Sequence, residues 1–160
     1  MSPEDFLLKV IVPTLRVLGL DGPDAEQLLL GTAIQESGIN DVVQAGGGPA
    51  LGYFQIEPNT HNDVWNNYLN SLPILAAKVA KALPEGEGPN PRWLIGFPQY
   101  ECAIVRIIYE RCPGKIPADL EGQAAYYKQY YNTPQGAATT EEYVTRFLAK
   151  CGKFPFNGGI

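Results

Sequence analysis

Residues 23–38 read Pro23-Asp24-Ala25-Glu26-Gln27-Leu28-Leu29-Leu30-Gly31-Thr32-Ala33-Ile34-Gln35-Glu36-Ser37-Gly38. Asp21-Gly22-Pro23 supplies a helix start and Gly38 a C-terminal stop. Between them Ala25, Leu28, Leu29, Thr32 and Ala33 recur at helical spacing and form an apolar stripe. One further turn of that stripe lands on Glu36. Its carboxyl is therefore expected to be desolvated, in line with the buried face. It is also expected at the negative end of the helix dipole. Both effects raise its pKa.

Working outward, most of the chain reads as helix. Ser2-Pro3-Glu4-Asp5 is a helix start, with a Ser cap, Pro at the first position and acids in the first turn. Phe6, Leu7, Val10, Ile11, Leu15 and Leu18 follow at helical spacing. Pro13 predicts a kink and Gly19 a stop. Helices are expected over residues 60–69, over residues 73–83, and over residues 99–111, where Tyr100, Ala103, Ile104, Ile107 and Ile108 share a face. Pro117 is expected to open a helix reaching residue 131. Thr139 and Glu142 fit a capping box for a last helix ending near Lys150. Residues 83–98 are Pro- and Gly-rich and read as a loop, and residues 154–160 as a loosely held tail.

Residues 40–58 have a different texture. Val42 and Val43 precede a glycine-rich turn, and Leu51, Tyr53, Gln55 and Glu57 then alternate with Gly52, Phe54 and Ile56. This predicts a β-hairpin or irregular β-lobe. The expected fold class is mainly α (α+β): one domain over residues 1–160, helical, with a small β-hairpin lobe beside the helix that ends at Glu36.

Composition bounds the function. The 160 residues are 45% hydrophobic and 18% charged, enough apolar matter for a core and too little charge for a self-repelling, disordered chain. Twelve basic against seventeen acidic side chains give a net charge of −5. That disfavours nucleic acid, whose binding rests on neutralising phosphates, and predicts weak electrostatic attraction to an anionic surface. No apolar run reaches ~18 residues, so no membrane span is expected. Residues 6–20 are interrupted by Lys9, Pro13, Thr14 and Arg16 and lack a basic start and a small-residue cleavage site, so no signal peptide is read there. Cys102, Cys112 and Cys151 are an odd number with no zinc spacing, and they read as reduced thiols, with a Cys102–Cys112 bridge the alternative. His61, the only histidine, reads as a solvated first-turn residue. No metal site and no cofactor are expected.

The chemistry gathers in Gln35-Glu36-Ser37-Gly38 and in Gly48-Pro49-Ala50-Leu51-Gly52-Tyr53-Phe54-Gln55-Ile56-Glu57-Pro58-Asn59-Thr60. Cleaving a glycosidic bond needs a neutral carboxylic acid to protonate the leaving oxygen, with a pKa raised toward the working pH. Polar and aromatic groups must hold the sugars beside it. The pattern resembles the lysozyme-like superfamily, most closely the lytic transglycosylases and phage muramidases or endolysins. Glu36-Ser37 matches the helix-ending Glu-Ser motif. Residues 48–60 match the Gly-X-X-Gly-hydrophobic-hydrophobic-Gln-hydrophobic-X-Pro-X-Thr motif, with one extra residue in the glycine spacing. Tyr131-Asn132 matches the late aromatic-Asn motif, although Thr133-Pro134 follows where a small, Gly-rich run is typical. Glu57 stands where an apolar residue is more usual.

The resemblance implies a lysozyme-like fold and a peptidoglycan-degrading glycosidase that cleaves the β-1,4 bond between N-acetylmuramic acid and N-acetylglucosamine. Glu36 would be general acid and then base. Gln55 and Tyr53 would hold the sugar, Tyr131 and Asn132 would close the far wall, and Ser37 would assist Glu36. Tyr127, four residues before Tyr131 on one helical face, joins the binding set, whereas Tyr126 and Tyr130 read as packing. Glu57 is either a surface acid at a helix N-terminus or, like Asp41, a second carboxylate. A second carboxylate across a water suits an inverting hydrolase, and a single acid suits a transglycosylase. The implied partner is the glycan strand of peptidoglycan, met by a monomer or a virion component. Such a protein would be made in the host cytoplasm and act on the cell wall in the periplasm. The rival readings are a chitinase-type hydrolase of the same superfamily and a non-catalytic glycan-binding or virion structural protein.

Overall fold

The computed structural model describes residues 1–43, 47–132 and 136–152, and the described chain is mainly helical. The first helical rod comprises α1 (Pro3–Phe6), a π-helical turn (Leu7–Ile11) and α2 (Val12–Leu18). Ser2 caps it by accepting the Asp5 N–H at 3.1 Å. Pro13 has no N–H for the carbonyl of Lys9 four residues before it, and Gln99 Nε2 donates to that carbonyl instead, at 3.2 Å. The kink expected at Pro13 is thus realised as the π turn that precedes it.

The helix expected between Pro23 and Gly38 is α3 (Pro23–Ser37), closed by Gly38 in the left-handed conformation at φ 65°. It is more deeply placed than a one-sided stripe predicts: Ala25 and every residue from Gln27 to Gln35 are buried. Helices α6 (Pro98–Glu110), α7 (Leu120–Tyr127) and α8 (Thr140–Cys151) and the π turn all pack on it. A Cβ at Gly31 would overlap the Tyr143 ring of α8, so glycine is what allows this close crossing. Two of the buried polar side chains on α3 are satisfied internally. Thr32 Oγ1 donates to the Leu28 carbonyl and, its one proton placed there, accepts from the Tyr109 hydroxyl, both at 2.8 Å. Gln27 Nε2 donates to Gln123 Oε1 at 3.1 Å.

Helices α4 (Pro58–Asn67) and α5 (Pro73–Ala80) complete the periphery. The loop of residues 83–98 contains one 3-10 turn, Pro91–Leu94. The helix expected to open at Pro117 begins at Leu120 and continues from α7 into a π-helical segment, Lys128–Asn132. Thr139 caps α8 through the Glu142 N–H at 3.1 Å, as the capping box predicts. The tail, residues 154–160, lies outside the described residues.

Two expectations are corrected. The β-hairpin lobe is not formed among the described residues, where only the isolated antiparallel bridges Val43–Leu51 and Leu51–Ile56 occur (residues 44–46 of the expected turn lie outside them). Residues 52–55 are a tight turn, clasped by paired Leu51–Ile56 backbone bonds of 3.0 Å each. Gly52 and Gln55 both have positive φ, 82° and 51°, which no strand permits. His61 is not solvated: it is 1% exposed, and burial lowers its pKa. Trp65 Nε1 donates to the Tyr100 hydroxyl at 2.9 Å, and that hydroxyl donates in turn to His61 Nε2 at 2.6 Å. A neutral imidazole with its proton on Nδ1, facing Asn62 Oδ1 at 3.0 Å, satisfies the whole chain. The three cysteines are free thiols, as read from the sequence, with Cys102 buried and Cys112 half-buried, and the alternative Cys102–Cys112 bridge is not formed. No helix among the described residues is long and apolar enough to cross a membrane.

Candidate functional site

Glu36 lies in the last turn of α3, on the wall of a groove of about 800 Å³. Ile34, Gln35 and Ser37 line it from the same helix end, Gln55 from the clasped turn and Ala50 from just before it, and α8 forms the opposite wall. The carboxyl is only partly open to solvent, and burial holds its pKa above the ordinary glutamate range. One interaction opposes the shift: the Tyr127 hydroxyl donates to Glu36 Oε2, which favours the charged form.

The remaining candidates separate by geometry. Gln55 reaches the groove. Both its amide hydrogens are engaged, by the carbonyls of Val42 and Gly52 at 2.9 Å each, so its oxygen is the group it presents to a ligand. Ser37 also lines the groove, but its hydroxyl donates to the Tyr53 carbonyl at 2.7 Å and accepts the Asn40 N–H at 3.1 Å. It fastens the turn to the end of α3. Tyr127 and Tyr131 stand behind Glu36 rather than in the groove lining. Tyr127 is 1% exposed, stacks on Tyr131 with centroids 5.7 Å apart, and packs at a tilt on Tyr143 at 5.1 Å. Tyr131 donates to the Phe54 carbonyl at 2.6 Å. Tyr53 is not part of the groove lining: its ring packs on Phe6 at 5.0 Å. Asn132 accepts from Lys128 Nζ at 3.1 Å, at the end of the π-helical segment. Tyr126 and Tyr130 pack on each other at 4.8 Å.

Neither proposed second carboxylate faces Glu36 across the groove. Glu57 is exposed at the N-terminus of α4, and Asp41 Oδ2 accepts the Gly96 N–H at 2.9 Å. Every Asp and Glu of the chain falls among the described residues, and Glu36 is the one carboxylate in the groove lining. Among the described residues no group of three His, Cys, Asp or Glu side chains could hold a metal.

The structure adds Glu101, which sequence reasoning missed. It sits in α6, is 0% exposed, and accepts the backbone N–H of Tyr53 at 3.0 Å and of Phe54 at 2.8 Å. A Cβ at Gly52 would overlap this carboxylate, so a glycine is required where the turn crosses it. Burial pushes its pKa well up against the pull of those two donors. The signal was present in the sequence: an acid flanked by Tyr100 and Cys102 within an apolar helix.

Glu101, Ser37 and Tyr131 thus hold one turn from three helical elements, and that turn carries Gln55 to the groove. No protein-family model, no curated protein and no solved structure matches the chain.

Proposed function

We propose that the chain is a glycosidase of the lysozyme-like superfamily that cleaves the β-1,4 bond between N-acetylmuramic acid and N-acetylglucosamine in peptidoglycan, by the lytic transglycosylase route. The observation that carries this reading is Glu36 itself. It is a carboxyl raised by burial, at the edge of a groove whose volume falls in the ~300–1,000 Å³ range of small-molecule sites. A general acid of this kind works best with a pKa near the operating pH. Two further features support the reading. Glu36-Ser37 and Gln55, far apart in sequence, line one groove. Tyr127 fixes the acid in orientation from behind.

Protonated Glu36 donates its proton to the oxygen that leaves with N-acetylglucosamine as the bond to C1 of the muramic unit breaks. The resulting carboxylate takes the proton from the C6 hydroxyl of that unit as its oxygen bonds to C1. A 1,6-anhydro ring closes and the acid is regenerated. The Gln55 oxygen accepts from a sugar hydroxyl or acetamide N–H. The lone carboxylate favours this route over an inverting one, which sets two carboxyls roughly 6.5–9.5 Å apart around a water. The site of action is the bacterial cell wall, reached from the host cytoplasm by a phage lysin or as part of a virion.

Mass spectrometry of the muropeptides released from purified cell walls tests this. The expected products carry the anhydro ring and are one water lighter than hydrolysis products. Reducing-end products alone would replace the transglycosylase route with hydrolysis, and no release at all would end the glycosidase reading.

A further inference from the structure

The wall of the groove opposite Glu36 belongs to α8 and carries Arg146 and Lys150, one helical turn apart. Their charge is unusual in place and in pairing. The chain as a whole is at −5, yet these two cations line the cleft with no carboxylate partner among the described residues. The ion pairs among the described residues are Lys9–Asp5, Arg106–Glu110 and Arg111–Asp63. Arg146 is oriented across the groove by a 3.4 Å contact from its Nη1 to the carbonyl of Gln35, near the end of α3. A second observation lies at the same place. Gln35 lines the groove and is 9% exposed, and its Oε1 is buried with no hydrogen-bond partner. A buried acceptor left unmade costs free energy that a ligand donor recovers.

We infer that Arg146 and Lys150 bind a carboxylate of the glycan ligand while Gln35 accepts one of its amide N–H groups, so that the groove selects muramic-type strands over neutral ones. This inference rests on the glycosidase reading and sharpens it. A chitin-like strand offers acetamides but no negative charge, and it would leave both cations unanswered. A muramic strand carries carboxylate on its lactyl arm, or on the peptide amide-linked to that arm. The guanidinium suits such a group through paired N–H donors.

The test compares three substrates of equal glycan length: strands bearing stem peptides, strands stripped of them to leave the lactyl carboxylate, and chitin oligomers. Wild type is expected to prefer the carboxylate-bearing strands. The Arg146→Ala, Lys150→Ala double variant is expected to raise KM on them by about tenfold, with kcat little changed and a several-fold smaller shift on chitin oligomers. A larger loss on the stem-bearing strand assigns the peptide carboxylate; a larger loss on the stripped strand assigns the lactyl one. Lys150→Gln alone, at an exposed position, should move KM the same way by less and guards against a folding defect in the double variant. Equal KM changes on all three substrates, or none, would overturn the inference and leave the glycosidase reading standing. A wild type that cleaves none of the three would overturn that reading as well.

Discussion

Replacing Glu36 with Gln is expected to lower glycan-strand cleavage by about 10²–10⁴-fold, the usual contribution of a positioned acid-base group. The amide fills the same space and keeps an oxygen for the Tyr127 hydroxyl, but it has no proton to give and takes none back. Folding should not suffer. A carboxyl whose pKa is raised on folding contributes stability that is fully present below its unfolded value and is lost as pH rises through its folded one. The Gln variant lacks that loss, so its Tm should equal or exceed the wild-type Tm at alkaline pH. Turbidity decay of cell-wall suspensions, with thermal melts of both proteins at several pH values, gives both readouts. Full lysis by Glu36→Gln would remove the catalytic assignment.

Glu101→Ala is expected to be the most damaging change away from the groove. It leaves the Tyr53 and Phe54 N–H groups buried without an acceptor, at a cost of about 2–4 kcal/mol. For a chain of this length that is a fall of roughly 4–16 °C in Tm. The loss should also reach the site. Tyr53 and Phe54 offer their carbonyls to Ser37 and Tyr131, so a loosened turn no longer holds Gln55 in place and cleavage falls in step. Glu101→Gln keeps one oxygen but sets an NH₂ against the other donor, and about 1–2 kcal/mol is expected. The raised folded pKa adds a pH signature. Glu101 contributes most below its ordinary value of 4.5 and progressively less as pH rises through the folded one. The Tm gap between wild type and Glu101→Ala should therefore narrow with rising pH. An unchanged Tm would show that the turn is held by other contacts.

The parts of the fold legible in sequence were those with a local cause. Ser2 and Thr139 cap helices through their own side chains, and Gly38 ends α3 because the left-handed conformation suits it. Glu36 could be placed near a buried face by counting turns. The misreadings came from partners distant in sequence. The alternation at Tyr53, Gln55 and Glu57 has the period of a strand, but the N–H groups of Tyr53 and Phe54 bond a carboxylate 48 and 47 residues away instead of a neighbouring strand. His61 looked like a surface residue of a first turn because nothing nearby reveals the Tyr100 hydroxyl 39 residues on. The α8 wall went unread for a related reason. Arg146 and Lys150 are ordinary helix-surface cations in sequence, and only the packing of α8 on α3 brings them opposite Glu36.

The central claim is that burial raises the pKa of one carboxyl at the groove, and a carbon-13 NMR titration of the Glu36 side chain tests it most directly. The account predicts a midpoint above the ordinary glutamate value of 4.5. It predicts a still higher midpoint in Tyr127→Phe, which removes the one donor that favours the charged form. A wild-type midpoint at or below 4.5 would contradict it.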